Sequence, residues 1–461
     1  MEHTEKSTLF ETMPISRAVL ALSVPTVLSS LVMVLYNLAD TYFVGMLNDP
    51  VQNSAVTLAS PVLLAFNAVN NLFGVGASSM MSRALGSKDL DTVRRSSAFG
   101  FYCALICGVL FSAAATLFRP ALLVLLGADA VTTQATSQYL RWTVTWGAAP
   151  AILNVVLAYL VRAEGATLHA SIGTMSGCAL NIVLDPIFIL PWGLDMGAAG
   201  AGCATFLSNC VACLYFFVLL FVRRGRTYVC LNPALARPRG AIVRGVFGVG
   251  IPASIQNLLN VTGMTVLNNF TAAFGPDAIA AMGISYKISM IPMYIAMGVS
   301  QGLMPLVSYN YGAGNVPRLK RAVLFAAKIS LAFMAAVTVC YFFASGTLVG
   351  LFMKTEAVVA YGSRLLRYMC LAQPFLCLDF LAVGVFQACG LGRYSLLFAV
   401  LRKIVLEIPA LYILNRLFPL YGLACAQPVA EVALAVAAVI ILARLFRRMD
   451  AEGTPLAQGR R

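Results

Sequence analysis

Two aspartates stand where a chain this apolar has few reasons to keep them. Asp40 closes the run Tyr36-Asn37-Leu38-Ala39-Asp40, and Asp185 stands in Asn181-Ile182-Val183-Leu184-Asp185-Pro186. Both runs are otherwise free of charge. A carboxylate near the centre of a bilayer costs roughly 2.5–3.5 kcal/mol even on the most lenient insertion scale, so its retention points to use. Tyr36 and Asn37 lie about one helical turn before Asp40, which places all three on one face; Asn181 stands in the same relation to Asp185. Pro186 has no N–H to give the carbonyl of Ile182, which leaves that oxygen for a cation or water. Two carboxylates among amide and hydroxyl oxygens suit two tasks. They form a hard-oxygen cage for Na⁺, or they share a proton. For Asp40 a third role stays open, capping the end of its helix near water.

Other ionisable groups interrupt the apolar background. Asp379 sits within Cys377-Leu378-Asp379-Phe380, as a second cation or substrate site or as a structural partner. Lys287, Arg402, Lys403, Glu407 and Glu431 are read as a structural charge network, with Lys287 and Glu407 as candidates to neutralise each other. Tyr139 stands either as a cavity residue or as an interfacial anchor. Met264, Met290, Met293 and Met297 recur at helical spacing and are read as packing residues.

The elements that carry these groups follow from hydropathy. Of 461 residues, 60% are hydrophobic and 11% charged. Uncharged runs such as Pro50–Ser82, Ser96–Phe118, Met196–Val222, Gly245–Pro276 and Ile288–Pro317 exceed the roughly 20 residues needed to cross a bilayer as helix. The expectation is an all-α polytopic membrane protein with twelve transmembrane helices, near 15–43, 52–82, 95–118, 134–160, 166–190, 197–222, 242–270, 277–306, 318–343, 357–385, 394–416 and 421–446. A membrane barrel is excluded, because it requires short alternating segments.

The second half of the chain repeats the first. Leu22-Ser23-Val24-Pro25 aligns with Val249-Gly250-Ile251-Pro252, Ser82-Arg83-Ala84-Leu85-Gly86 with Ser308-Tyr309-Asn310-Tyr311-Gly312, and Leu140-Arg141-Trp142 with Leu366-Arg367-Tyr368. Further on, Gly165 meets Gly390, Asp185-Pro186 meets Ile408-Pro409, and Gly197 meets Gly422. Two homologous six-helix bundles imply a transporter built around a central site. The expected domains are 1–222, a basic linker 223–241, and 242–461.

A net charge of +14 invites a nucleic-acid reading, and its distribution refutes it. Lys and Arg gather in every second loop, at Arg83–Arg95, Arg223–Arg244, Arg318–Arg321 and Arg444–Arg448, and the alternate loops carry little beyond Arg119, Lys354 and Arg416. This asymmetry puts both termini and the linker in the cytoplasm. The first span is expected to act as an uncleaved anchor. Most of the twelve cysteines fall within spans without metal-ligand spacing, and the two histidines, His3 and His169, do not suggest zinc. No Walker or nucleophile motif is present, so neither an ATPase nor an enzyme is expected, and no cofactor.

Taken together the motifs resemble the multidrug and toxic compound extrusion (MATE) family, over about residues 15–446. The resemblance rests on Pro25, Tyr36-Asn37 with Asp40, Ser82–Gly86, Asn181–Phe188, Gly197–Thr205 and Gly302–Ala313. It implies export of organic, often cationic, compounds by antiport against H⁺ or Na⁺, by a protein expected to act as a monomer in the bilayer. Within the family the chain is similar to the prokaryotic DinF-like branch with its MepA-like pumps. That branch implies a coupling site at Asp40, Asn154, Asn181, Asp185 and Thr205, holding H⁺ or Na⁺. The NorM-like branch has a carboxylate in helix seven, where Pro252-Ala253-Ser254-Ile255-Gln256-Asn257 offers only amides. Tyr36, Asn37, Tyr139, Gln256 and Asp379 are the candidates to line the substrate cavity, and Pro25 to bend the first helix. The competing expectation is a lipid-linked saccharide flippase or an exporter of another solute in the same superfamily. A flippase would need basic groups in its cavity for pyrophosphate, and the N-terminal site is acidic and amide-rich.

Overall fold

The computed structural model describes residues 8–452; His3 and both chain ends lie outside the described residues. Helices account for nearly all of it, with no strand among the described residues. In chain order they are α1 (Ile15–Gly45), α2 (Pro50–Gly86), α3 (Leu90–Leu117), α4 (Thr133–Trp146 and Ala148–Ala163), α5 (Thr167–Ile189) and α6 (Ala198–Val222). The second half gives α7 (Gly240–Ala272), α8 (Pro276–Ala313), α9 (Val316–Phe352), α10 (Glu356–Cys370 and Gln373–Ala388), α11 (Gly392–Val400, Leu401–Glu407 and Ile408–Leu417) and α12 (Tyr421–Glu452).

Among the described residues nine helices are long and apolar enough to cross a membrane, and eleven if the bent pairs α4 and α10 each count as one. The bends are 48° in α4 and 46° in α10, at equivalent places in the two repeats. Expectation and structure differ at α11. It is helical throughout, but Arg402, Lys403 and Glu407 crowd a π-helical turn in its middle and lower its apolarity. The chain is a multi-pass membrane protein. Its outward side chains agree: Phe343 is 80% exposed, and Phe221, Leu117 and Val222 are similarly bare, which suits hydrocarbon and not water.

Local chemistry is duplicated along with the helices. Pro50 and Pro276 open α2 and α8 at the first turn, where a missing N–H costs nothing. Asp89 caps α3 by accepting from the Thr92 N–H at 3.1 Å, and Asn315 caps α9 by accepting from Arg318 N–H at 3.2 Å. Ser82 donates to the Ala163 carbonyl at 2.7 Å; its counterpart Ser308 donates to Ala388 at 2.9 Å. Gly165 and Gly390 end α4 and α10 with φ of +88° and +76°, a left-handed turn that favours glycine.

The compact units exchange half-helices relative to the repeats. One unit is Leu31–Ser254; the other joins Thr8–Ser30 to the chain from Ile255 onward. In the first, the start of α7 lies on α2 so closely that a Cβ on Gly250 or Gly76 would strike the carbonyls of Leu72 and Val246, and Ser254 donates to the Ala68 carbonyl at 2.6 Å. In the second, the start of α1 lies on α8, where a Cβ on Gly302 would come within 2.6 Å of the Ser23 Cα. Phe10 anchors that end, stacked on Tyr309 at 4.6 Å, and the Arg318 guanidinium donates to the Phe10 and Met13 carbonyls at 2.6 and 2.7 Å.

Candidate functional site

In the first unit α5 and α6 form the most extensive helix pair, because Gly173 and Gly177 let the backbones close on Phe216 and Ala212. That packing fixes the polar groups between them. Asp185 is completely buried and Asn181 nearly so. The amide of Asn181 joins the two helices: Nδ2 donates to Asp185 Oδ2 at 2.8 Å and Oδ1 at 3.2 Å, while Oδ1 accepts from the Thr205 N–H at 3.1 Å and its hydroxyl at 3.2 Å. This arrangement suits a carboxylate, because both of its oxygens face a donor.

The α1 residues converge on the same place. The Tyr36 phenol lies beside Thr205 and within electrostatic reach of Asp40 and Asp185, and Asp40 acts on Asp185 in turn. Tyr139 of α4 is buried and senses the charges of both aspartates. Asn37 is exposed, unlike the half-buried Tyr36 and Asp40 beside it. Asn154 is placed one step away: its Nδ2 donates to Asn209 Oδ1 at 3.0 Å and to the Pro150 carbonyl at 2.8 Å, with no hydrogen bond to Asp185 among the described residues. A π-helical turn at Arg141–Trp146 separates Tyr139 from Asn154, and such turns re-aim side chains at functional sites.

The second unit holds a different set of charges. Arg402 Nη2 lies 2.7 Å from Glu431 Oε1 and Nη1 3.3 Å from Asp379 Oδ2, with the guanidinium 5.0 Å above the Phe380 ring. Lys403 donates to both oxygens of Glu407, at 2.7 and 2.6 Å. Lys287 is exposed and forms no ion pair with Glu407. Gln256 accepts from Gln387 Nε2 at 3.3 Å. Gln256 and Asp379 therefore belong to this second unit.

A family model, MatE, matches residues 25–187 and again residues 252–413. The chain belongs to the MatE family. The double match is the internal repeat seen from outside. As a MATE chain it is 34% identical over 453 residues to the multidrug export protein MepA of Staphylococcus aureus, with 98% of each chain covered. It is also similar to the solved structure of a multidrug resistance MATE family transporter in an outward-facing conformation. The TM-score is 0.91 at 26% identity, covering 97% of this chain and 99% of that one. A MOP superfamily transporter from Pyrococcus furiosus matches with a TM-score of 0.88 at 26% identity, over 96% and 98% of the two chains. These relatives are transporters, and the chain is not an enzyme.

Within this MATE chain, sequence reasoning missed Asn209. The signal was present, since Asn209 follows Thr205 by four residues and shares its face of α6. It also left Arg402 without a specific partner. Asp379 and Glu431 lie 23 residues before and 29 after it, so only the packing of α10, α11 and α12 joins them.

Proposed function

We propose that the chain is a multidrug exporter that moves organic, chiefly cationic, compounds out of the cell by antiport against H⁺ or Na⁺. Coupling occurs at Asp185, Asn181 and Thr205 with Asp40, Tyr36 and Asn154 around them. The observation that carries the reading is a fully buried Asp185 whose carboxyl meets the Asn181 amide, itself bonded to Thr205 of α6. A proton or Na⁺ arriving at Asp185 changes what the carboxyl offers Asn181, and through it what Thr205 of α6 and Tyr36 of α1 meet there. Charge on α5 is thereby reported to two other helices. An ion shifts such an equilibrium only by its differential affinity for the two states, and the ion gradient sets the direction.

Alpha-helix 1 is the natural transmitter. Asp40 and Tyr36 lie in one compact unit, and Pro25 lies in the other. Any displacement between the units must be absorbed within α1 and α7, whose interiors carry Pro25 and Pro252, residues that cannot complete a helical hydrogen bond. We place the protein in the inner membrane of a prokaryotic cell as a monomer, with both termini cytoplasmic, on the positive charge of alternate loops. The flippase reading loses its main requirement, because Arg402 and Lys403 are already held by carboxylates.

The test is efflux of ethidium from cells making the wild type or Asp185→Asn, with the proton and sodium gradients collapsed in separate runs. Energised efflux by the wild type and its loss in the variant are expected, and the gradient whose collapse stops efflux names the ion. Undiminished energised efflux by Asp185→Asn would remove Asp185 from coupling.

A further inference from the structure

The second unit contains a cavity of about 90 Å³ that the coupling site does not use. Its wall is formed by five methionines, among them Met264, Met293 and Met297, together with Phe380, Arg402, Lys403 and Glu407. The charged groups divide into two sets. Arg402 reaches the wall with its guanidinium held between Asp379 and Glu431, the three side chains 5%, 1% and 0% exposed. The Lys403 and Glu407 side chains remain 11% and 9% exposed, on the cavity, and among the described residues are paired only with each other. The first set is the more deeply packed, and the second is the part of the wall a ligand meets most readily.

That wall is built for its place. The π-helical turn Leu401–Glu407 brings Arg402 to Asp379 and Glu431 while its neighbour Lys403 faces the cavity. Opposite it stands Gly263 of α7, where an added Cβ would come within 2.9 Å of Lys403 Cδ and 3.1 Å of Nζ. The Lys403 stem occupies the space a side chain would take. A buried ion pair is seldom better than an apolar pair for stability alone, so its place on the wall of a cavity lined by pliable side chains points to a use in binding.

Charge balance selects the class of occupant. A lone cation that takes Glu407 strands the Lys403 ammonium in a low-dielectric interior, and a lone anion that takes Lys403 strands Glu407. A neutral ligand gains nothing from opening the pair. A molecule carrying both charges close together replaces each partner at once and strands neither. The cavity admits a small polar head group between Lys403 and Glu407, and the unbranched thioether side chains yield to an attached apolar body. We propose that this cavity is a binding site for the head group of a zwitterionic amphiphile, its ammonium on Glu407 and its carboxylate on Lys403.

The proposal goes beyond the exporter reading and does not depend on it, because it concerns equilibrium binding by protein with no gradient. The probe is Nε-dansyl-lysine, an α-amino acid with a fluorescent apolar tail. It is compared with its methyl ester, a monocation, and its Nα-acetyl derivative, a monoanion. Each is titrated into purified full-length protein in nanodiscs at pH 7. The zwitterion is expected to bind at least tenfold more tightly than either derivative. The double substitution Lys403→Met with Glu407→Gln, which keeps volume and strands no charge, is expected to reduce that preference to within twofold in protein that remains monodisperse. Equal binding of the three probes to the wild type, no saturable binding of any, or a preference that survives the double substitution would overturn the proposal. The wild-type comparison decides even where the variant fails to fold. Failure of coupling at Asp185 leaves the binding result untouched, and the reverse also holds.

Discussion

Replacing Asn181 by alanine removes the side chain that hydrogen-bonds to both Asp185 and Thr205. In the ionised state Asp185 loses donors at 2.8 and 3.2 Å while remaining fully buried. A hydrogen bond to a charged group is worth about 1.5–3 kcal/mol, and the longer arm adds little, so the ionised state rises by about 2 kcal/mol. At 1.36 kcal/mol per decade that is roughly a 30-fold fall in any rate that passes through the empty carboxylate. Both H⁺ and Na⁺ cycles pass through it. Thr205→Val removes a neutral partner 3.2 Å away, worth about 1 kcal/mol or roughly fivefold, while Thr205→Ser keeps the oxygen and should stay near wild type. Because Thr205 acts through Asn181, the double variant should be no slower than Asn181→Ala alone, a departure from additivity of about 1 kcal/mol. The assay is the initial rate of gradient-driven ethidium efflux from proteoliposomes, normalised to incorporated protein. An Asn181→Ala rate within twofold of wild type, or a double variant about fivefold slower than Asn181→Ala, would refute the relay.

Three further outcomes follow from packing. Ser82→Ala and Ser308→Ala each strand a carbonyl of the equivalent turn, and each should cost about 1 kcal/mol, adding in the double variant because they share no partner; thermal unfolding in detergent measures both. Gly250→Ala forces α7 off the Leu72 carbonyl and should cost at least about 1–3 kcal/mol, whereas Gly248→Ala, with nothing within 4 Å, should be neutral or stabilise by up to about 1 kcal/mol. Glu164→Ala frees the linker, because its carboxylate accepts from the Tyr228 N–H at 2.7 Å and the Thr227 hydroxyl at 3.0 Å; limited trypsin should then cut near Arg226 faster than in the wild type.

The sequence made the scaffold legible for physical reasons. A transmembrane helix announces itself by a run of apolar residues, and a duplication by matched prolines, glycines and caps, so both could be read without coordinates. Asp185, Asn181 and Thr205 were legible in part because the first two are local, one turn apart. The Asn154–Asn209 pair was not, since it depends on how closely α4 approaches α6. The same limit applies to Arg402, whose partners lie on two other helices, and to Lys287, a candidate partner for Glu407 that packing leaves exposed. The π-helical turns at 70–75, 141–146 and 401–407 are invisible to a search for 3.6-residue spacing, because one extra residue per turn leaves composition unchanged. The methionines show the same limit from the other side. Their spacing fits packing, but Met264, Met293 and Met297 line an opening.

Duplication and divergence have acted on different residues. The positions that hold helices together are kept in both repeats: the serines that tie α2 and α8 to the next turn, the glycines that end α4 and α10, the caps of α3 and α9. The positions that carry chemistry are not. Asp185 beside Pro186 becomes Ile408 beside Pro409, so the second repeat has no carboxylate at the position of Asp185. Its charges lie one to six residues earlier on α11, at Glu407, Lys403 and Arg402, and they reach different partners. A shared backbone with unlike charge placement gives one lobe a buried carboxyl among amides and hydroxyls, and the other a site with both charge signs already present. Two lobes with the same charged site would respond to an ion alike; on the coupling proposed above, unlike sites confine the ion's action to the first lobe.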